Sequence, residues 1–220
     1  MITDYSIQAV AINAIPLIFA ITIHEAAHGY AARRFGDNTA YMLGRVSLNP
    51  AKHIDPVGTI LIPLALILTG SPFLVGYAKP VPVNFGRLRN PRIDSIWVAL
   101  AGPGSNFFQA LFWAILLILL LGLGIDEKFF ISMAQAGIAW NIGLLVFNLF
   151  PLPPLDGGRI LSSLLPARQS IALGKLEPWG FFIVLALVFT GIIGSLWMEP
   201  LMAFFKWVIY LFTIPLQMLF

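Results

Sequence analysis

Three side chains within five residues carry the most chemistry in this sequence: His24, Glu25 and His28, in the run His24-Glu25-Ala26-Ala27-His28. Histidines four apart share one face of a helix, about 6 Å apart in rise, so both rings can converge on a single ion. Zinc suits such a pair. Glu25, about a third of a turn from His24, is too displaced to be an equal third ligand but well placed to take a proton from a water that the metal activates. The run follows residues 7–23, IQAVAINAIPLIFAITI, an uncharged stretch that reads as a membrane span. There, imidazoles and a carboxylate are costly unless they serve a site.

Two histidines alone hold zinc poorly, and with 0 cysteines the remaining ligands must be His, Asp or Glu. A candidate stands in NLFPLPPLDGGR, where Asn148 ends an apolar span, Pro151, Pro153 and Pro154 stop the helix, and Asp156 precedes Gly157 and Gly158. A broken helix lets a carboxylate point sideways into a cavity. For Asp156, ligation and a helix N-cap after the proline turn are both open. His53, in the polar stretch NPAKHIDP, is the rival third ligand, although a solvated or capping histidine is the simpler reading there.

The elements that must position these groups are apolar helices. Of the 220 residues, 59% are hydrophobic and 10% charged, against roughly 25% charged in a soluble domain. The mean hydropathy is +0.87. The fold class is therefore an all-α polytopic membrane protein. Stretches long enough to span are residues 6–32, 95–123, 131–150, 179–198 and 201–220, with a further apolar stretch at 57–76. That stretch, interrupted by Pro63 and Gly70, runs into GYAKPVPVNFG, whose paired prolines exclude a helix interior and suit a short β-like strand or hairpin at an exposed edge.

If residues 57–76 re-enter the membrane and return, one face holds eleven basic residues (Arg33, Arg34, Arg45, Lys52, Lys79, Arg87, Arg89, Arg92, Arg159, Arg168, Lys175) and the other only Lys128 and Lys206. The rich face is then cytoplasmic, and His24, His28 and Asp156 all reach it. A single crossing destroys that bias, so a re-entrant segment beside an aqueous pocket is expected. The net charge of +3 sits in residues flanking the spans, which points to lipid headgroups and not to nucleic acid. Arg87, Arg89 and Arg92 read as a headgroup anchor. Trp97, Trp140, Trp179, Trp197 and Trp207 fall near span ends, as interfacial residues do, with packing an equal reading for Trp97 and Trp140. The N-terminus lacks the basic region and cleavage site of a removable signal, so the first span is expected in the mature protein. Without a repeat or a long linker, residues 1–220 form one expected domain. Asn106 is expected to bond neighbouring helices, and the glycines of AGPG at 101–104 to allow close packing.

With both motifs in view, the chain resembles the site-2 proteases, intramembrane zinc metalloproteases whose pattern pairs His-Glu-x-x-His with a later Asn-x-x-Pro-x-x-Pro-x-Asp-Gly. Here these are HEAAH at 24–28 and NLFPLPPLDG at 148–157. GRVSLNPAKHIDPVGT at 44–59, GYAKPVPVN at 76–84 and AGPGSN at 101–106 extend the likeness to about residue 160. The resemblance implies one zinc per chain held by His24, His28 and Asp156, Glu25 as general base, Asn148 orienting substrate or oxyanion, and a three-helix catalytic core at about 6–160 with two accessory spans at about 177–220. Departing from larger members, the chain is expected to have no span before the zinc helix and no PDZ-like insertion. Substrates would be transmembrane proteins, cleaved in or near the bilayer, and the compact form points to a prokaryotic inner membrane. Since a helical substrate must unwind, Gly76, Tyr77, Ala78, Lys79, Pro80, Val81 and Asn84 are expected to hold it as an added strand. The competing functions are a membrane metal-binding or transport protein, disfavoured by Glu25 and by the lack of an inverted repeat, and an inactive protease relative.

Overall fold

A computed structural model describes residues 7–68 and 76–220. Its centre is three long helices, α1 (Ile7–Arg34), α4 (Pro91–Gly122) and α5 (Lys128–Asn148), each packed on the other two. Apolar packing gives helices little reason to associate in lipid, so close backbone approach through small residues has to supply it. The buried faces are made accordingly: Ala20, Ala26, Gly29 and Ala32 on α1, Ala99, Gly102, Ala110 and Ala114 on α4, Ala134 and Gly137 on α5. A Cβ added at Gly137 would lie 2.6 Å from Trp113 Cε2, inside the indole. Large apolar side chains such as Phe108, Phe112 and Phe204 face outward, as lipid-facing positions do.

α4 begins four residues before the expected 95–123. Pro91 occupies its first turn, where no N–H is needed, and Asp94 Oδ2 accepts from the Asn90 N–H at 2.7 Å, which closes the helix start despite Arg92 and Asp94. Between α1 and α4 lie α2 (Thr39–Met42), a π-helical turn at Pro56–Leu61 and α3 (Ile62–Leu68). The expected re-entrant segment falls partly on these and partly on 69–75, outside the described residues.

The expected β-like hairpin is not found: the described residues contain no strand, and 76–84 run extended without a ladder partner. Pro80 and Pro82 have no N–H for one. The stretch is held by separate anchors instead. Tyr77 N–H donates to Gly58 O (3.0 Å), Lys79 N–H to His53 O (2.9 Å) and Asn84 N–H to Asp37 Oδ2 (2.7 Å), while Arg45 Nη2 donates to Lys79 O (3.0 Å).

After α5, residues 149–155 turn sharply, with a cis Pro153–Pro154 bond, and lead into α6 (Asp156–Leu164). α6 folds back on that turn because its first residues lack side chains: a Cβ at Gly157 would sit 2.5 Å from Phe150 O, and one at Gly158 2.6 Å from Pro153 Cδ. α7 (Ala167–Gly174) and α8 (Glu177–Phe189) follow, bent by 68° to one another. The C-terminal spans differ from expectation. α8 has 13 residues, about 20 Å at 1.5 Å each, which is too short to cross alone. It stops at Thr190–Gly191, where Gly191 has φ 73°. The next helical run is a π-turn at Gly194–Met198 continuing into α9 (Glu199–Gln217), so the expected break near residue 199 is helical. Pro200 is tolerated there because it lies in the first turn of α9. Among the described residues, four helical runs are long and apolar enough to cross a membrane, Ile7–Arg34, Pro91–Gly122, Lys128–Asn148 and Gly194–Gln217, and α7 with α8 makes a fifth if the bent pair is one span.

Candidate metal centre

α1 presents His24 and His28 inward, one turn apart, with ring centroids 4.6 Å apart. α4 crosses them at Gly102, whose missing side chain leaves space for both imidazoles: a Cβ there would lie 2.6 Å from His24 Nε2 and overlap His28. Asp156, the first residue of α6, enters from the other side. Its Oδ2 lies 3.3 Å from His24 Nε2 and 3.4 Å from His28 Nε2, and the two Nε2 atoms are 3.0 Å apart. A tetrahedral zinc with bonds of about 2.0–2.2 Å has ligand-to-ligand edges of about 3.3–3.6 Å, so this triangle is close to the size required.

Proton bookkeeping points the same way. His28 Nδ1 is 2.7 Å from Val98 O, a carbonyl that can only accept, so Nδ1 carries a proton and, in the neutral ring, Nε2 carries the lone pair. His24 Nδ1 is 2.6 Å from Asn106 Oδ1, with the same result. Both imidazoles and the carboxylate thus aim acceptors at one point, and Asp156 Oδ2 is buried with no hydrogen-bond donor. Three buried acceptors in mutual contact repel one another, and a cation between them would relieve that repulsion. His24, His28 and Asp156 are the one group among the described residues able to hold a metal in this way. His53, the rival ligand, is not among them; it is buried, and its Nε2 donates instead to Ser47 O at 2.8 Å.

Glu25 is fixed by an unexpected partner. Its Oε2 accepts from the Val81 N–H at 2.7 Å, so the stretch at 76–84, expected to hold substrate, orients this carboxylate. Asn148, at the end of α5, donates from Nδ2 to Leu144 O at 2.9 Å. Gly76, Tyr77, Lys79 and Pro80 are exposed along the stretch, and Val81 is buried.

Several roles were not legible from residue type. Asn106 does bridge helices, through Nδ2 to Ala20 O at 3.1 Å, but it also holds His24. Arg92, read as a headgroup anchor, donates to Ser163 O, Leu164 O and Leu165 O at 2.9–3.4 Å, closing the C-terminal end of the helix that begins with Asp156. Trp197, expected at the interface, donates to Val146 O at 2.9 Å, while Trp140, for which packing was an equal expectation, donates to Asn13 Oδ1 at 3.2 Å, so both indoles tie helices together.

Fold and site together define a helical membrane protein with a buried His-His-Asp set able to grip one divalent cation. The chain belongs to Peptidase family M50, which it matches over residues 12–138 and 125–191. A Bacillus subtilis protein named as the zinc metalloprotease YwhC is 38% identical over 203 residues, 90% of this chain and 89% of its own length. A Mycolicibacterium smegmatis protein named as the zinc metalloprotease Rip2 is 32% identical over 196 residues, 86% of this chain and 70% of the relative. No solved structure matches.

Proposed function

We propose that this protein is an intramembrane zinc endopeptidase, hydrolysing peptide bonds in or near transmembrane segments, with zinc held by His24, His28 and Asp156. The observation that carries the reading is the meeting of three lone-pair donors with the orphaned Oδ2 of Asp156 among them. When bound, zinc supplies the Lewis acid that acidifies water and polarises a carbonyl. Glu25, held at Oε2 by Val81, takes the proton of the attacking water and passes it to the leaving amine. Asn148 has one Nδ2 proton engaged by Leu144 O and offers the other to the substrate carbonyl or the developing oxyanion.

Residues 76–84 are proposed to hold the unwound substrate. Their N–H groups at Tyr77, Lys79 and Val81 are spent on the protein, and Pro80 and Pro82 have none; Tyr77 O, Lys79 O and Pro80 O already accept from Thr59 and Arg45, so an added strand would donate to carbonyls such as Ala78 O and Pro82 O. The excess of basic residues around the site end of the spans supports a cytoplasmic site in a prokaryotic inner membrane. The test is to purify the protein in detergent, measure zinc, and compare cleavage of transmembrane peptides by wild type and Glu25→Gln. The variant should keep its zinc and lose cleavage; cleavage at the wild-type rate would overturn the assignment.

A further inference from the structure

Behind His24 lies a pair of amides fully shielded from solvent, Asn106 on α4 and Asn141 on α5. Their orientation follows from one fixed point. Gly137 O can only accept, so the Asn141 atom 2.9 Å from it is Nδ2, and Asn141 Oδ1 therefore faces α4. That oxygen too can only accept, so the Asn106 atom 3.0 Å away is Nδ2. The second Nδ2 proton of Asn106 goes to Ala20 O at 3.1 Å, which leaves Asn106 Oδ1 facing His24 Nδ1 at 2.6 Å. His24 must then carry its proton on Nδ1.

We infer that Asn141 is a positioning residue for the metal centre: through Asn106 it fixes the His24 tautomer that turns the Nε2 lone pair toward the cation. The inference rests on the zinc reading proposed above. Without Asn141, only Ala20 O opposes a half-turn of the Asn106 amide. Once turned, the amide presents N–H to Nδ1, and His24 must move its proton to Nε2, where it blocks ligation. His28 needs no such chain, since Val98 O fixes it directly. Outer partners of ligating histidines are typically worth about 10–100-fold in metal affinity.

The experiment measures zinc dissociation constants by competition with a chromophoric chelator for detergent-purified wild type, Asn141→Leu, Asn106→Leu and the double variant, with the melting temperature of each metal-free protein alongside. Leucine has the same number of side-chain heavy atoms, branched at the same carbon, and makes no hydrogen bonds. Asn141→Leu should bind zinc about 10-fold or more weakly with little change in melting, and adding it to Asn106→Leu should weaken binding no further, because the two act in series. If Asn141→Leu does not fold, Asn141→Ser, whose hydroxyl is too short to reach Asn106, should show the same weakening. Unchanged affinity in the variants, or losses that multiply in the double variant, would overturn the relay while leaving the zinc site intact. A wild-type protein that takes up no zinc would overturn both readings.

Discussion

Gly102→Ala sets two effects of known sign against each other. In an exposed helix the change would stabilise by about 1 kcal/mol, because alanine has the higher helix propensity. At this position the new methyl would lie 2.6 Å from His24 Cε1 and Nε2 and overlap His28 as well. Ordinary carbon contacts are about 3.5–4.0 Å, so the rings must retreat by about 1 Å. Metal sites tolerate about 0.2 Å in ligand distance, and a misplacement of about 1 Å can cost 10²-fold in activity. The expected variant melts at or near the wild-type temperature without metal, binds zinc at least about 100-fold more weakly, and cleaves transmembrane peptides correspondingly slowly. Chelator competition and peptide cleavage on the same preparation read both effects. Zinc affinity within threefold of wild type would refute the premise that Gly102 is the wall against which the two imidazoles rest.

Stripping the metal with a chelator should abolish cleavage and re-adding zinc restore it, whereas Asp156→Asn, which keeps the shape and removes the charge, should not recover at the same zinc concentration; peptide cleavage checks both. Arg92→Ala should release the end of α6 and lower stability by about 1 kcal/mol or slightly more, seen as a reduced melting temperature, with a smaller loss of zinc affinity than Asp156→Asn. At Asp37, burial pushes the carboxyl up, but bonds from the Thr39 hydroxyl, the Thr39 N–H and the Asn84 N–H outweigh it and hold the group below its ordinary 3.8. A depressed folded value adds stability above pH 3.8 and loses it as the pH falls through the folded value, so wild type and Asp37→Asn should differ at neutral pH and converge in acid, as a series of melting temperatures would show.

The His24 and His28 pair was legible because its geometry is local, one helical turn; for Asp156 the prolines announce the break that frees it, but the residues alone left ligation and an N-cap open, and only the resemblance set it beside the histidines. The three core helices were legible from unbroken apolar runs. Asn141 escaped notice because an amide in an apolar span has no local signature; its meaning comes from Gly137 on one side and Asn106, 35 positions earlier, on the other. The same holds for Arg92, whose partners lie 71 to 73 residues away. Hydropathy runs on across Thr190–Gly191, so it could not show that α8 ends there, while Glu199-Pro200 looks like a breaker and is a tolerated first turn. The expected strand failed because prolines tell where a ladder cannot form and not what replaces it.

The amide that grips Glu25 belongs to a stretch with no regular structure of its own. Its path is set by moorings at Gly58, His53, Arg45 and Asp37, all outside α4 and α5. Alignment of the carboxylate is thereby delegated to loop length. Side chains between Tyr77 and Asn84 can be exchanged to retune what the loop touches, but inserting or deleting a single residue there would carry Val81 away from Oε2. Changes to this stretch that keep Glu25 aligned are confined to substitution, with its spacing held constant.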